Sequence, residues 1–196
     1  MALDFVERVK GFILNPVESF NKYKPEEFGE AFKYYLVLLL IFSVLYALIA
    51  GLGMGSYMAA IPGFGGAGMG LGMGLGMIIG IIIFFFIIGI VGLFIQSIIV
   101  HIFVAILGGK QGFTKTVAAM IYASTPSMLL GWIPIIGIIA GIWAFILEIL
   151  AIREIQEMST ARAVLAIILP IIIIMVLVIL LIGFFLVAAV TTAGYY

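Results

Sequence analysis

The stretch HIFVAILGGKQGFTKTVAAMIYASTP, residues 101–126, is a polar interruption between two long apolar runs. It holds the chain's one histidine, a Gly-Gly pair, two lysines and a hydroxyl cluster ending in proline. Physically it reads as a helical hairpin. Gly108-Gly109 stops the preceding helix, since glycine readily takes the left-handed C-cap conformation. Lys110 and Lys115 hold the loop out of hydrocarbon, and Thr114 or Thr116 is expected to cap the next helix. Pro126 has no N–H to donate to the carbonyl of Tyr122, four residues back. Ser124, Thr125 and Ser127 stand close enough to re-satisfy that carbonyl. A kink is expected here, and a second at Pro170.

Working outward, the composition names the solvent. The chain has 196 residues, 66% hydrophobic and 9% charged, whereas a soluble domain carries roughly a quarter charged residues. Most of it must therefore lie in lipid. Eleven of the eighteen charges fall in the first 33 residues, with none between Tyr34 and Gly109 and none after Arg162. Net charge is zero, so there is no basic footprint for nucleic acid. The absence of cysteine removes disulfides and thiolate metal sites. The opening MALDFVERVK lacks the apolar core and cleavage site of a signal peptide, so the first span is expected to serve as the insertion signal.

A hydrocarbon slab about 30 Å thick needs about 20 apolar helical residues. Five spans are predicted, near 34–53, 73–107, 114–131, 134–152 and 163–190. The cations test this count. Arg8, Lys10, Lys22, Lys24 and Lys33 lie in the head, Lys110 and Lys115 after the second span, and Arg153 and Arg162 after the fourth. Five crossings place all of them on one side, the cytoplasmic one. A sixth span within Met54–Met77 would export four of them. The expected fold is an all-α, five-helix transmembrane bundle in the cell membrane, with its C-terminus outside. Residues 1–33 form an amphipathic head on the cytoplasmic surface, and residues 34–196 the membrane domain. Tyr34 and Tyr35 fit an inner aromatic belt; Trp132, Tyr195 and Tyr196 fit an outer one.

Within the head, Phe5, Val6, Val9, Phe12 and Ile13 recur at helical spacing. Asn15-Pro16, with Glu18 three residues after the asparagine, reads as a fresh helix start, and Pro25 as another. The simplest role for this head is to lie on the inner headgroups; binding partners or lipid is the more specific one. The glycine-methionine tract is expected to be an outer loop up to about Gly70, although Gly68, Gly72, Gly76 and Gly80 recur every four residues. Met54, Met58, Met69, Met73 and Met77 raise Cu(I) binding, but no histidine or cysteine supports them. No metal or cofactor is expected. Ala119, Ala123, Ser127 and Gly131 form a small-residue stripe on the third span. Gly137, Gly141 and Ala144 lie on the fourth, and close packing of these two spans is expected to form the centre of the bundle.

On LGGKQGFTKT and YASTP, together with the five-span layout, the chain resembles the YIP family of integral membrane proteins. Eukaryotic members of that family interact with Rab-type GTPases. Gly108, Gly109 and Phe113 match the family's loop, and Tyr122 and Pro126 its Tyr-x-x-x-Pro element. Ile121 stands where a glycine usually precedes the tyrosine, and the acidic Asp-Leu-Tyr-Gly-Pro element is absent from the head, as in a prokaryotic branch. The resemblance implies a non-catalytic adaptor or membrane-organising, trafficking-type protein, working through its head and cytoplasmic loops. Its partners would be the lipid bilayer and a membrane protein or a second copy.

Two ionisable side chains, His101 and Glu148, lie within the spans, with Gln96 deeper. Intramembrane ionisable groups mark proton or ion paths by default, so a small transporter or channel using His101 and Glu148 is the alternative. Against it, the outer half offers almost no polar groups. The simpler reading is a structural pair, or Glu148 reaching toward Arg153. Catalysis is not expected. A zinc-protease helix needs two histidines, and neither Ser97 nor Ser124 sits in a nucleophile turn that would pair it with His101.

Overall fold

Pro126 divides the predicted third span. In the computed structural model, helix α5 (Phe113–Ala123) ends at Ser124 and α6 (Thr125–Leu130) begins at once. The structure describes the backbone of residues 2–59 and 67–193, and the side chains of residues 4–50, 74–187, 190 and 191. Around this broken segment stand α1 (Ala2–Leu14), α2 (Pro16–Tyr23), α3 (Phe28–Ala59), α4 (Ala67–Ile106), α7 (Ile136–Ile155) and α8 (Thr160–Ala193). Among the described residues every element is helical. Among the described residues four helices are long and apolar enough to cross a membrane, at Phe28–Ala50, Gly74–Ile106, Ile136–Ile155 and Thr160–Val187. The 114–131 segment is two helices of 11 and 6 residues.

The break is stabilised locally, as lipid demands. Thr125 Oγ1 donates to the Tyr122 carbonyl at 2.7 Å, the group that proline leaves without an amide partner. The Ser124 and Ser127 hydroxyls donate to the carbonyls of Ile121 and Ser124 at 2.8 and 2.9 Å. Neither Thr114 nor Thr116 caps α5; Gly112, at φ +81°, holds the cap position, and the helix start has no side-chain cap bond. Asn15 precedes α2 but likewise makes no side-chain cap bond.

Helix α5 is the centre of the molecule. Thr116 through Ala123 are all buried, and a helix buried all round belongs inside a bundle. It packs against α3, α4 and α7. The expected partnership of the third and fourth spans therefore holds in part, with a shifted seam on α7. There the buried positions are Ala140, Ala144, Leu147 and Ala151. Gly141 is exposed, and a side chain there would meet nothing. Gly137 instead backs onto the Gly131 carbonyl at the turn, where a Cβ would stand 2.7 Å from it.

Helix α4 begins at Ala67, earlier than the loop predicted to reach Gly70. Gly76 and Gly80 face open space rather than a neighbour. The side chains of Met54, Met58, Met69 and Met73, and residues Tyr195 and Tyr196, lie outside the described residues. The glycine that does bring α3 and α4 together is Gly89. Its carbonyl accepts from the Tyr35 hydroxyl at 2.9 Å, and a Cβ there would sit 2.5 Å from Leu39. Replacing Gly89 with leucine is expected to destabilise the protein by about 1–3 kcal/mol through overpacking. The same change at Gly80 should leave the thermal unfolding midpoint in detergent unchanged or higher; equal effects at both positions would contradict this seam.

Candidate functional site

The start of α8 packs on α4 and α7, and at this end of the bundle polar contacts join the head to α5 and to the residues after α7. The largest junction surrounds Glu26. The Arg8 guanidinium reaches its carboxylate through two nitrogens, at 2.6 and 3.0 Å, while the Arg8 Nε bonds Asp4 at 3.0 Å. The Tyr122 hydroxyl donates to the same carboxylate. Burial pulls the Arg8 pKa down, but the hydrogen bond and charge of Glu26, with Asp4, more than offset this and raise it. Arg8 also lies over the Tyr23 ring, 4.6 Å from its centroid, a cation–π contact.

Apolar packing completes the junction. Phe12 is fully buried and stacks on Tyr122 with ring centroids 4.6 Å apart. It also meets Phe20, Tyr23 and Tyr34. The Tyr34 hydroxyl shares a 3.0 Å bond with Thr125 Oγ1. The head is thus built into the bundle as part of its core. Lys115 reinforces it by donating to the backbone carbonyls of Lys24 and Glu26.

A second web joins the loops. Gln156, buried after α7, donates to the Gly112 carbonyl at 3.0 Å and to Thr116 Oγ1 at 2.9 Å, and accepts from the Gln111 amide at 3.1 Å. Thr116 Oγ1 also bonds His101 Nδ1 at 2.8 Å. Glu157 takes Lys24 and Gln111 as partners, and Asn21 donates to Glu154 at 3.0 Å. Gly108 is left-handed, at φ +93°, and the Gly109 amide reaches back to the Val104 carbonyl at 2.8 Å. This is the helix stop expected of a Gly-Gly pair.

The structure places the sequence candidates as follows. Gly108, Gly109 and Phe113 line the α4–α5 turn, where Phe113 meets the His101 ring edge-on at 5.4 Å. Tyr122 and Pro126 flank the helix break. Ala119 and Ala123 are buried, while Ser127 is half-buried. His101 and Glu148 are not brought together: His101 bonds Thr116 on α5, whereas Glu148 accepts from Gln96 Nε2 at 2.9 Å. Arg153 pairs with Glu154 at 2.6 Å rather than with Glu148. Ser97 Oγ is buried without a hydrogen-bond partner. Among the described residues no cluster of three metal-ligating side chains occurs.

Arg8, Glu26 and Gln156 are the contributors that periodicity missed. Glu26 was legible only as part of a helix start, and nothing in the local sequence links it to positions about ninety residues away.

Fold and site define a class: a polytopic helical membrane protein with a polar head locked over one end. A family model, described as the Yip1 domain, matches residues 10–191. The chain belongs to this family. Neither curated proteins nor solved structures gave a match.

Two outcomes follow. Replacing Glu26 with alanine strands Arg8 and the Tyr122 hydroxyl and should cost about 2 kcal/mol. In hydrogen exchange this would read as roughly thirtyfold faster opening of α1 and α2, with a smaller effect from Tyr122→Phe. Unchanged exchange would refute the lock. Separately, the hydrogen bond from Lys24 holds the exposed Glu157 carboxyl below its ordinary pKa. A depressed folded-state pKa adds stability above the unfolded value of about 4.3, lost as pH falls through the folded one. Glu157→Gln should therefore lower the melting temperature at pH 7, and the difference should shrink as pH falls from about 4.3 and vanish only below the depressed folded-state pKa.

Proposed function

We propose that this Yip1-family chain is a non-catalytic adaptor that organises a membrane, with its docking face at the polar end of the bundle. The face combines the head with the loops at 107–112 and 156–159. One observation carries this reading: the Arg8–Glu26–Tyr122 junction and the Lys24–Glu157 pair fasten these segments into one surface. A surface with fixed relative positions suits recognition of a folded partner, since little ordering cost remains to be met on binding. The expected lipid-lying helix is accordingly read as a docked one.

The same end supports a threading of five crossings. Helices α4 and α7 finish together there, and α5 with α6 carries the chain back toward the start of α7. In this reading all nine Lys and Arg residues lie on the cytoplasmic side, and the C-terminus is outside the cell membrane. His101 and Glu148, bonded to different helices, lend nothing to a continuous ion path.

Both parts are testable in intact cells. Compartment-specific labelling should find the two chain ends on opposite sides of the membrane; ends on the same side would exclude five crossings. Cross-linking from residues 10, 18 and 110, followed by mass spectrometry, should recover a discrete membrane-protein partner or a second copy. The charge-reversing Lys110→Glu should reduce that yield. Uniform labelling of lipid alone would exclude an adaptor.

A further inference from the structure

A lateral cleft opens between α4, α7 and α8, about 220 Å³ in volume, and its location has nothing to do with the docking face. Its walls are apolar, formed by Ile95, Ile99, Ile167 and Ile174 with Pro170 and Gly92, and the Gln96–Glu148 pair is set into them. The Glu148 carboxylate accepts one bond, from Gln96 at Oε1, and has no further partner among the described residues. A carboxylate can accept about four. In hydrocarbon an under-satisfied carboxylate is costly, so a donor entering from the membrane is favoured at this place.

Depth and size select the donor. Glu148 lies five residues inward of Arg153, about 7.5 Å along the helix. A phospholipid reaching it would drag its phosphate below the headgroup layer and strip its water. A hydroxyl carries no such charge and gains a charge-assisted bond. The volume is below the roughly 300–1,000 Å³ of a site that swallows a whole drug-sized ligand. It suits part of one acyl chain, the remainder staying in the bilayer.

We propose that this cleft binds a neutral lipid alcohol of the diacylglycerol type, its hydroxyl donating to Glu148 and one chain lying along the isoleucine walls. Gly92 provides a clean test, because a Cβ added there meets nothing within 4 Å. Gly92→Leu should fill the mouth of the cleft without disturbing the fold.

The protein is reconstituted in phosphatidylcholine vesicles with a diacylglycerol bearing a photoactivatable acyl chain, and labelled residues are mapped by mass spectrometry. Phosphatidylcholine and phosphatidylethanolamine probes with the same chain serve as comparisons. The diacylglycerol probe should label α4, α7 and α8 at the cleft, at least fivefold above phosphatidylcholine. Gly92→Leu and Glu148→Gln should each lose most of that excess, with Gly92→Leu keeping the parent's unfolding midpoint. Equal labelling by phosphatidylcholine would reduce the cleft to ordinary boundary lipid. Retained labelling in both variants, or stronger Glu148-dependent labelling by phosphatidylethanolamine, would overturn the assignment.

Discussion

Glu26 stands where the head turns into the first long helix, with its side chain largely shielded from solvent. A shielded carboxylate must be neutralised and its lone pairs filled, and here the two groups that do so come from opposite directions. Arg8 arrives from the first helix and Tyr122 from the middle of the chain. Their convergence fixes where α1 sits and brings Phe12 onto the Tyr122 ring. Remove the carboxylate, and a largely shielded guanidinium is left over the rings of Tyr23 and Tyr34. The Lys24–Glu157 and Asn21–Glu154 ties between head and loop are more exposed, where water screens them. The arrangement of the polar end therefore rests mainly on this one group.

The same tyrosine links the head to the helix break. Its ring holds Phe12, its hydroxyl bonds Glu26, and its carbonyl is the one that Pro126 leaves open and Thr125 fills. Thr125 shares its hydroxyl with Tyr34 on α3. Pro126 thus ends α5 where α3 and the head can reach it. An unbroken helix would place its next turn elsewhere, and the Tyr34–Thr125 bond would have no reason to form. Small residues make room for this: Ala118, Ala119 and Ala123 are buried on α5, which packs against α3 and α7, and small side chains let helices approach closely.

Much of this was readable in advance, for identifiable reasons. The helix stop at Gly108-Gly109 and the break at Pro126 follow from backbone chemistry that acts within a few residues. Lipid as solvent follows from composition. On α7 the small residues divide: Ala140 and Ala144 are buried, while Gly141 is exposed. Spacing alone does not tell which small residues of a helix meet its neighbours: a side chain at Gly141 would meet nothing, whereas Ala140 and Ala144 are buried. The Glu26 junction was not legible because a hydrogen bond across ninety residues leaves no trace in local spacing. Gln156 was invisible for the same reason: its environment is assembled from α4, α5 and the α7 end only after they pack.

The molecule is also uneven along its length. Helix α7, with 20 residues, spans about 30 Å at 1.5 Å per residue, one hydrocarbon thickness. The apolar stretches of α4 and α8 have 33 and 28 residues, about 50 and 42 Å by the same rise. Fitting the first into 30 Å by tilting alone would take more than the 40° that membrane helices adopt. At the polar end these helices are fixed by the contacts that join α4, α5, α7 and α8, so the excess length must be accommodated at the other. Every described residue of α8 from Ile171 to Val187 is exposed there. A tied polar face and a long, weakly packed apolar far half are therefore two results of one distribution: charges and most hydrogen-bonding side chains at one end, and, among the described residues, mainly apolar side chains that lipid solvates equally well at the other.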